Sequence, residues 1–270
     1  MKKFFLIYFL SFHTLSELTL EITQGTEDPY RVAIIEFSGS NDTSTDIQNV
    51  IFNNLLRTGE FVIFDDKDLL SVPIAEEDIV FNDFKILNID YLVMGKVQDD
   101  DLNIVVEYQV FDISKTKKIR TSTVYGIPNK NRQLAHYISD GIYEEITGIP
   151  GIASTKILYV TEDTNFKLLI SDADGNNEQV LLESSEPIIS PSWSPDSKKV
   201  AYVSFETGIA KVYVQDIASG KRDLAIENSA QISSPAWSPD GKFLSLTMYQ
   251  DGNAEIYILN LKNKNLTRLT

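Results

Sequence analysis

The acidic run Asp172-Ala-Asp174-Gly175-Asn176 is where this chain comes nearest to a metal-binding motif. Its alternating acids and glycine match the opening of a calcium loop, in which carboxylate oxygens surround a hard cation. The later oxygen ligands and the terminal bidentate Glu do not follow at the required spacing, so the segment reads as a hairpin turn. General-base chemistry would fall to His136, the only histidine besides His13 near the start. It lies within a predicted helix, with no Gly-x-Ser-x-Gly elbow anywhere to supply a nucleophile, so it reads as a core or surface residue. The chain has no cysteine, which removes disulfides, thiolate zinc sites and thiol nucleophiles together. These residues predict no enzyme, no metal and no cofactor.

The elements that carry these residues divide the chain in two. In the second half, Pro191-Ser-Trp-Ser-Pro-Asp-Ser-Lys-Lys-Val-Ala-Tyr-Val returns as Pro235-Ala-Trp-Ser-Pro-Asp-Gly-Lys-Phe-Leu-Ser-Leu-Thr. The same offset carries Lys211-Val-Tyr-Val-Gln-Asp-Ile onto Glu255-Ile-Tyr-Ile-Leu-Asn-Leu and back onto Lys167-Leu-Leu-Ile-Ser-Asp-Ala. Lys156-Ile-Leu-Tyr-Val-Thr matches Lys199-Val-Ala-Tyr-Val-Ser with one residue of slippage. A period in the low forties, made of short alternating strands and Gly, Asn or Asp turns, is the signature of four-stranded propeller blades. The innermost strand would end at Trp193 or Trp237, whose ring fills the gap between neighbouring blades. The following Ser-Pro-Asp-Gly makes a tight reversal in which Pro presets φ and Asp forms the turn.

The first half follows a different rhythm. Val32 to Phe37 is a continuous apolar strand. Thr45-Asp-Ile-Gln48 has capping-box spacing ahead of Ile47, Val50, Ile51 and Leu55, a helical series that stops at Gly59. Strands are predicted at Phe61 to Phe64, Tyr91 to Val97, Leu102 to Asp112 and Ile119 to Gly126, with a shorter helix over Glu76 to Lys85. The strand from Leu102 puts Leu102, Ile104, Val106, Tyr108 and Val110 on one face. A last helix stacks Leu134, Ile138, Ile142 and Ile146 on one stripe. The reading is a small α/β domain over residues 17–147, a Gly-Pro hinge over 148–155 and an incomplete all-β propeller of the WD40-like (PD40) type, blades 1–3, over 156–270.

The formal net charge of -15 argues against nucleic acid or an anionic membrane as partner, because both depend on Lys and Arg. At the start, Lys2 and Lys3 precede an apolar run from Phe4 to Phe12, and Thr14 and Ser16 stand at the -3 and -1 positions of a cleavage before Glu17. Residues 1–16 therefore read as a secretory signal peptide, since the run is far short of the roughly 20 residues that span a bilayer.

A signal, an α/β domain, a Gly-Pro hinge and Pro-x-Trp-Ser-Pro-Asp-Gly repeats together resemble the TolB family. The most specific segments are Glu21-Ile-Thr-Gln-Gly25 followed by Val32-Ala-Ile-Ile-Glu-Phe37, and Val200-Ala-Tyr-Val-Ser-Phe-Glu206 with Val212-Tyr-Val-Gln-Asp-Ile-Ala-Ser-Gly-Lys-Arg222. The resemblance implies a periplasmic adaptor of the Tol-Pal system, which maintains outer-membrane integrity and supports envelope constriction in cell division. It also implies TolA binding by the N-terminal segment, at Glu17, Leu18, Leu20, Glu21, Ile22 and Asp28. Pal lipoprotein is expected at the propeller mouth, on loops carrying Glu186, Gln231, Ser233 and Ser234. Relatives often carry a His in the loop before the third inner strand, where this chain has Gln231-Ile-Ser-Ser234. The family's propeller has six blades, so the repeats predict a C-terminal truncation, with exposed blade faces and poor behaviour in isolation. The alternatives are the propeller of a secreted peptidase or polysaccharide lyase, since those share the Trp-Ser-Pro-Asp-Gly repeat, and a generic ligand-binding propeller.

Overall fold

A continuous apolar strand can only be satisfied if both of its faces are covered, and the first strand is covered on both. The structure, a computed structural model, describes residues 28–39, 41–100, 102–227, 231–250 and 252–270. The N-terminal part contains β1 (Tyr30–Ile34), β2 (Ser38–Gly39), α1 (Asn41–Arg57), β3 (Phe61–Phe64), α2 (Phe81–Ile86), β4 (Tyr91–Asp99), β5 (Ile104–Asp112), β6 (Lys117–Gly126) and α3 (Asn131–Thr147). Its sheet runs β3-β1-β4-β5-β6, with β2 beside β4. Strand β1 is parallel to both β3 and β4, whereas β4, β5 and β6 form an antiparallel meander. Successive residues of β1 serve opposite layers: Val32 and Ile34 pack with Ile47, Ile51, Ile138 and Ile142 of α1 and α3, while Ala33 packs with Phe84 and Phe111 on the other face.

Three sequence expectations are corrected here. Helix α1 begins at Asn41, so Thr45 and Gln48 lie inside it and form no capping box; the Gln48 Oε1 instead accepts the Phe37 amide at 3.3 Å. The helix expected over Glu76 to Lys85 is a 3-10 turn at Glu76–Asp78 followed by the short α2, because hydrogen bonding between Ala75 and Asp78 closes the first turn before Phe81 can anchor the second. Leu102 stands outside β5 and is 76% exposed, since Asp100 accepts the Leu102 and Asn103 amides and turns the chain there. The α3 stripe is as expected, with Leu134, Ile138, Ile142 and Ile146 all buried.

The second half forms three separate antiparallel sheets: β7 (Lys156–Glu162), β8 (Phe166–Asp172) and β9 (Gln179–Ser184); β10 (Ile188–Trp193), β11 (Lys199–Ser204), β12 (Lys211–Asp216) and β13 (Arg222–Glu227); and β14 (Gln231–Trp237), β15 (Phe243–Gln250), β16 (Asn253–Asn260) and β17 (Leu266–Arg268). The first sheet holds the counterparts of the second to fourth strands of the other two. Apolar clusters fill both gaps between sheets. Leu168, Ile188, Val200 and Tyr202 fill the first gap with Trp193 packed against them; Val203, Val212, Ile232, Leu246 and Met248 fill the second with Trp237. Trp237 also donates from Nε1 to the Ser192 carbonyl of the preceding sheet, at 3.2 Å. The tryptophans therefore join blade to blade, as the repeat predicts.

The turn after each Trp repeats atom for atom. Ser194 Oγ donates to Asp196 at 2.6 Å and accepts the Lys199 amide; Ser238 Oγ donates to Asp240 at 2.7 Å and accepts the Phe243 amide. These hydrogen bonds, led by the serine hydroxyl, hold both carboxyls below the usual Asp value. The repeated aspartates are turn formers. The antiparallel strand order puts these turns at one end of the sheets and the loops before the inner strands at the other.

Candidate functional site

Of the residues expected on loops at the Pal side, Glu186 lies in the loop before β10, whereas Gln231, Ser233 and Ser234 stand within β14 itself, because the ladder to β15 already begins at Gln231. The Glu186 amide donates to Ser184 Oγ at 3.0 Å in the turn between β9 and β10, leaving the Glu186 side chain exposed. The β11–β12 turn is fastened against this loop by the Phe205 amide, which donates to the Pro187 carbonyl at 3.0 Å. In the next blade Gln231 opens β14 opposite Tyr249 and Ser233 pairs with Thr247. Gln231 and Ser234 are exposed and Ser233 is half-buried. Ser234 has φ +54°, and its counterpart Ser190 has φ +52°; each lies in a bulge immediately before the Pro of its inner strand. A left-handed backbone is uncommon for a non-glycine residue, and its recurrence at equivalent positions identifies a blade device that bends the inner strand where its side chains meet the mouth.

Residues absent from the expected set also reach this end. Ile209, in the β11–β12 turn, is 43% exposed, and Tyr249, opposite Gln231, is 51% exposed. Ile209 follows the turn glycine Gly208, a place where the periodic pattern asks for a polar residue, and that mismatch is the signal a sequence reading can use. Behind them Glu206 pairs with Arg222 at 2.5 Å. The Arg222 hydrogen bond is the main reason the Glu206 carboxyl titrates low, opposed by its partial burial. Arg222 in turn lies over the Tyr213 ring at 4.3 Å. Of the expected TolA-side residues, Asp28 is exposed at a bend before β1; Glu17, Leu18, Leu20, Glu21 and Ile22 lie outside the described residues.

A second polar assembly joins the two halves of the chain. The Asp140 carboxylate on α3 accepts the amides of Ala153 at 2.6 Å and Ser154 at 3.0 Å, tying down the segment read as a hinge. Helix α3 ends at Gly148 in a left-handed C-cap with φ +75°. Asp172 to Asn176 forms the predicted hairpin turn: the Asp172 amide donates to the Asn176 carbonyl at 2.8 Å and the Gly175 amide to the Asp172 carbonyl at 2.9 Å. This turn sits against α3. Arg132 pairs with Asp174, Lys156 and Asn177 hold Asp172, and His136 points its Nε2 between the two acids, 3.8 Å from Asp172 Oδ2 and 3.7 Å from Asp174 Oδ2. A polar cleft of about 610 Å³, lined by Asp46, Lys130, Arg132, Lys156, Asp172 and Gln179, opens beside it. An apolar-walled cavity of about 330 Å³ lies between Leu55, Tyr143, Ile149, Pro150, Ile152 and Ala153.

An α/β domain tied by its last helix to a three-stranded sheet, which leads into two four-stranded blades linked by tryptophans, defines a two-domain propeller protein with an exposed mouth at one end. Residues 18–119 match the TolB amino-terminal domain and residues 143–270 match the TolB beta propeller domain. The chain belongs to the TolB family. It is 41% identical over 210 residues to the Tol-Pal system protein TolB of Alcanivorax borkumensis, covering 76% of this chain and 48% of that protein. With the protein of the same name from Hahella chejuensis it shares 38% identity over 223 residues, covering 79% of this chain and 52% of the other. The crystal structure of TolB from Acinetobacter baumannii superimposes with a TM-score of 0.84 at 32% identity, over 93% of this chain and 62% of that one. The chain thus spans about half the length of the curated relatives it matches. Among the described residues no helix is long and apolar enough to cross a membrane.

Proposed function

We propose that this chain is a periplasmic adaptor of the Tol-Pal system that binds Pal through its propeller mouth and TolA through residues 17–28. The observation carrying this reading is that both halves of the chain match TolB domains, and that its curated relatives bear the name of a Tol-Pal system protein. In this reading residues 1–16 direct export and are removed, 148–155 joins the domains, and the chain acts by binding proteins in outer-membrane maintenance and cell division. Side chains presented by loops and strand ends on a rigid blade scaffold support the mouth as the contact surface, because they are held there at low ordering cost. Glu186, Gln231, Ser233 and Ser234 are the contacts, and the exposed Ile209 and Tyr249 add apolar area beside them.

Capture of purified Pal by the mature chain tests the first half of the proposal. Glu186→Lys and Ser234→Asn, the latter adding bulk while tolerating φ +54°, should weaken capture without changing the unfolding transition. If both variants capture Pal normally, the contact is elsewhere. For TolA, affinity is compared with and without residues 17–28, each with and without Pal. Equal affinity after the deletion eliminates the segment. Linkage requires that Pal change TolA affinity by the factor by which TolA changes Pal affinity.

A further inference from the structure

His136 is only 2% exposed, and its Nε2 is a buried nitrogen with no hydrogen-bond partner among the described residues, aimed at two carboxylates that belong to the other domain. Three ligand atoms this close suggest a cation site at first sight: His136, Asp172 and Asp174 could each offer one. The hydrogen bonds behind the ring decide otherwise. Arg57, which can only donate, approaches Asn54 Oδ1 at 3.3 Å, so the Asn54 amide is oriented with its nitrogen toward α3. Ser139 Oγ spends its proton on the Ala135 carbonyl at 2.8 Å and therefore accepts from Asn54 Nδ2 at 2.9 Å. The same Asn54 nitrogen lies 2.9 Å from His136 Nδ1 and has a second hydrogen to give, so Nδ1 is an acceptor. A neutral imidazole accepting at Nδ1 carries its proton at Nε2.

That proton occupies the lone pair a metal would need. The acids are also already countered, Asp172 by Lys156 and Asp174 by Arg132, which leaves no charge deficit for a divalent ion to fill. What remains is a donor facing two acceptors, about 0.7 Å beyond an ordinary N–H···O separation of ~3.0 Å.

We propose that His136 is a neutral clasp between the domains: a relay from Arg57 through Asn54 fixes its proton on Nε2, where the N–H dipole faces the Asp172–Asp174 pair of the first propeller hairpin at 3.7–3.8 Å and attracts it electrostatically. The charged groups facing the ring are Arg57 of α1, Arg132 of α3, and Asp172 and Asp174 of the hairpin, with Lys156 of β7 behind Asp172. Burial lowers the imidazole's tendency to take a second proton and outweighs the opposing pull of Asp174 and then Asp172. Protonation at Nδ1 would set two donors face to face at Asn54, whose reversal is blocked by Arg57 and Ser139. The clasp goes beyond the adaptor reading and does not depend on which partners bind.

The test uses the full chain at pH 7. Nitrogen-15 NMR of the wild-type imidazole, assigned by its disappearance in His136→Gln, should show the neutral Nε2–H tautomer; an Nδ1–H tautomer or a charged ring overturns the proposal. Zinc chloride added to a small excess should leave this resonance unmoved, and its displacement would make the cluster a metal site instead. The two amide replacements separate the ends of the relay. His136→Gln keeps a donor near Nε2, whereas His136→Asn keeps an acceptor for Asn54 and withdraws the donor from the hairpin. Exchange of the Ala173 amide, which donates to the Thr155 carbonyl at 3.1 Å, should rise about tenfold or more in His136→Asn relative to core amides of β1, and less in His136→Gln. Equal exchange in the two variants overturns the donor's role even if both are destabilised.

Discussion

Replacing Gly151 with Ala should loosen the connection between the domains more than any other single methyl group added to the linker. An added Cβ would stand 2.4 Å from Asp140 Oδ1 and 2.5 Å from Asp140 Cα. The clash with the Asp140 backbone cannot be relieved by a rotamer change, so the linker must move away from α3 by about 1 Å to reach an ordinary van der Waals separation. That movement stretches the two bonds that Asp140 accepts from the Ala153 and Ser154 amides. Hydrogen bonds to a charged group contribute about 1.5–3 kcal/mol each when buried, and Asp140 is half-buried, so a local loss of about 2–3 kcal/mol is expected. At about 1.4 kcal/mol per factor of ten, exchange of these two amides should accelerate roughly 30- to 140-fold. Gly148→Ala is the control. Its Cβ meets open space, and its only penalty is about 1–2 kcal/mol for φ +75°, confined to the end of α3. Hydrogen exchange followed by mass spectrometry resolves the two sites. Equal acceleration at Ala153 and Ser154 in both variants would refute the reasoning, since it would mean that the Asp140 hydrogen bonds do not hold the linker.

Three further predictions concern the blades. Tyr202→Phe removes the hydroxyl that donates to Gln215 Oε1 at 2.8 Å in a buried pair, and should cost about 1–3 kcal/mol by urea unfolding monitored in the propeller; Gln215 also donates to the Leu181 carbonyl of the first sheet, so Gln215→Leu should cost as much or more. Trp237→Phe removes the 3.2 Å bond to Ser192 and part of the inter-blade packing, and should lower propeller stability by about 2 kcal/mol, with the loss appearing as faster exchange in both β10 and β14. The Glu206 carboxyl titrates below its ordinary 4.5 in the folded chain, chiefly because of Arg222, so the unfolded chain takes up its proton first. Its contribution is complete above pH 4.5 and fades as pH falls through the folded value; Glu206→Gln should flatten that part of the acid-denaturation curve, and an unchanged slope would count against the pair.

Legibility from sequence followed the range of the interactions that set each feature. The blades were readable because the Ser-Pro-Asp turns rest on hydrogen bonds within a few residues and because Trp193 and Trp237 recur with them at a fixed period, so that repetition itself exposes which side chains are structural even where their contacts cross between sheets. The α3 stripe was readable for a similar reason, since one face meets one sheet. Errors arose where a local pattern competed with a distant partner. Thr45 and Gln48 have capping-box spacing, but Gln48 reaches the Phe37 amide, and α1 extends past both toward Asn41. The bulges at Ser190 and Ser234 were invisible because nothing about Ser-Pro requires a left-handed serine; the blade's curvature imposes it. The site between the domains was the least legible. The sequence reads His136 as a core or surface residue and Asp172 to Asn176 as a hairpin turn, and each description is locally accurate. Only the fold brings an α1 amide, an α3 imidazole and a β8 turn into one chain of donors. Two individually ordinary segments can therefore form a specific junction, and here the direction of each donor, more than the residue types, distinguishes a proton clasp from a metal site.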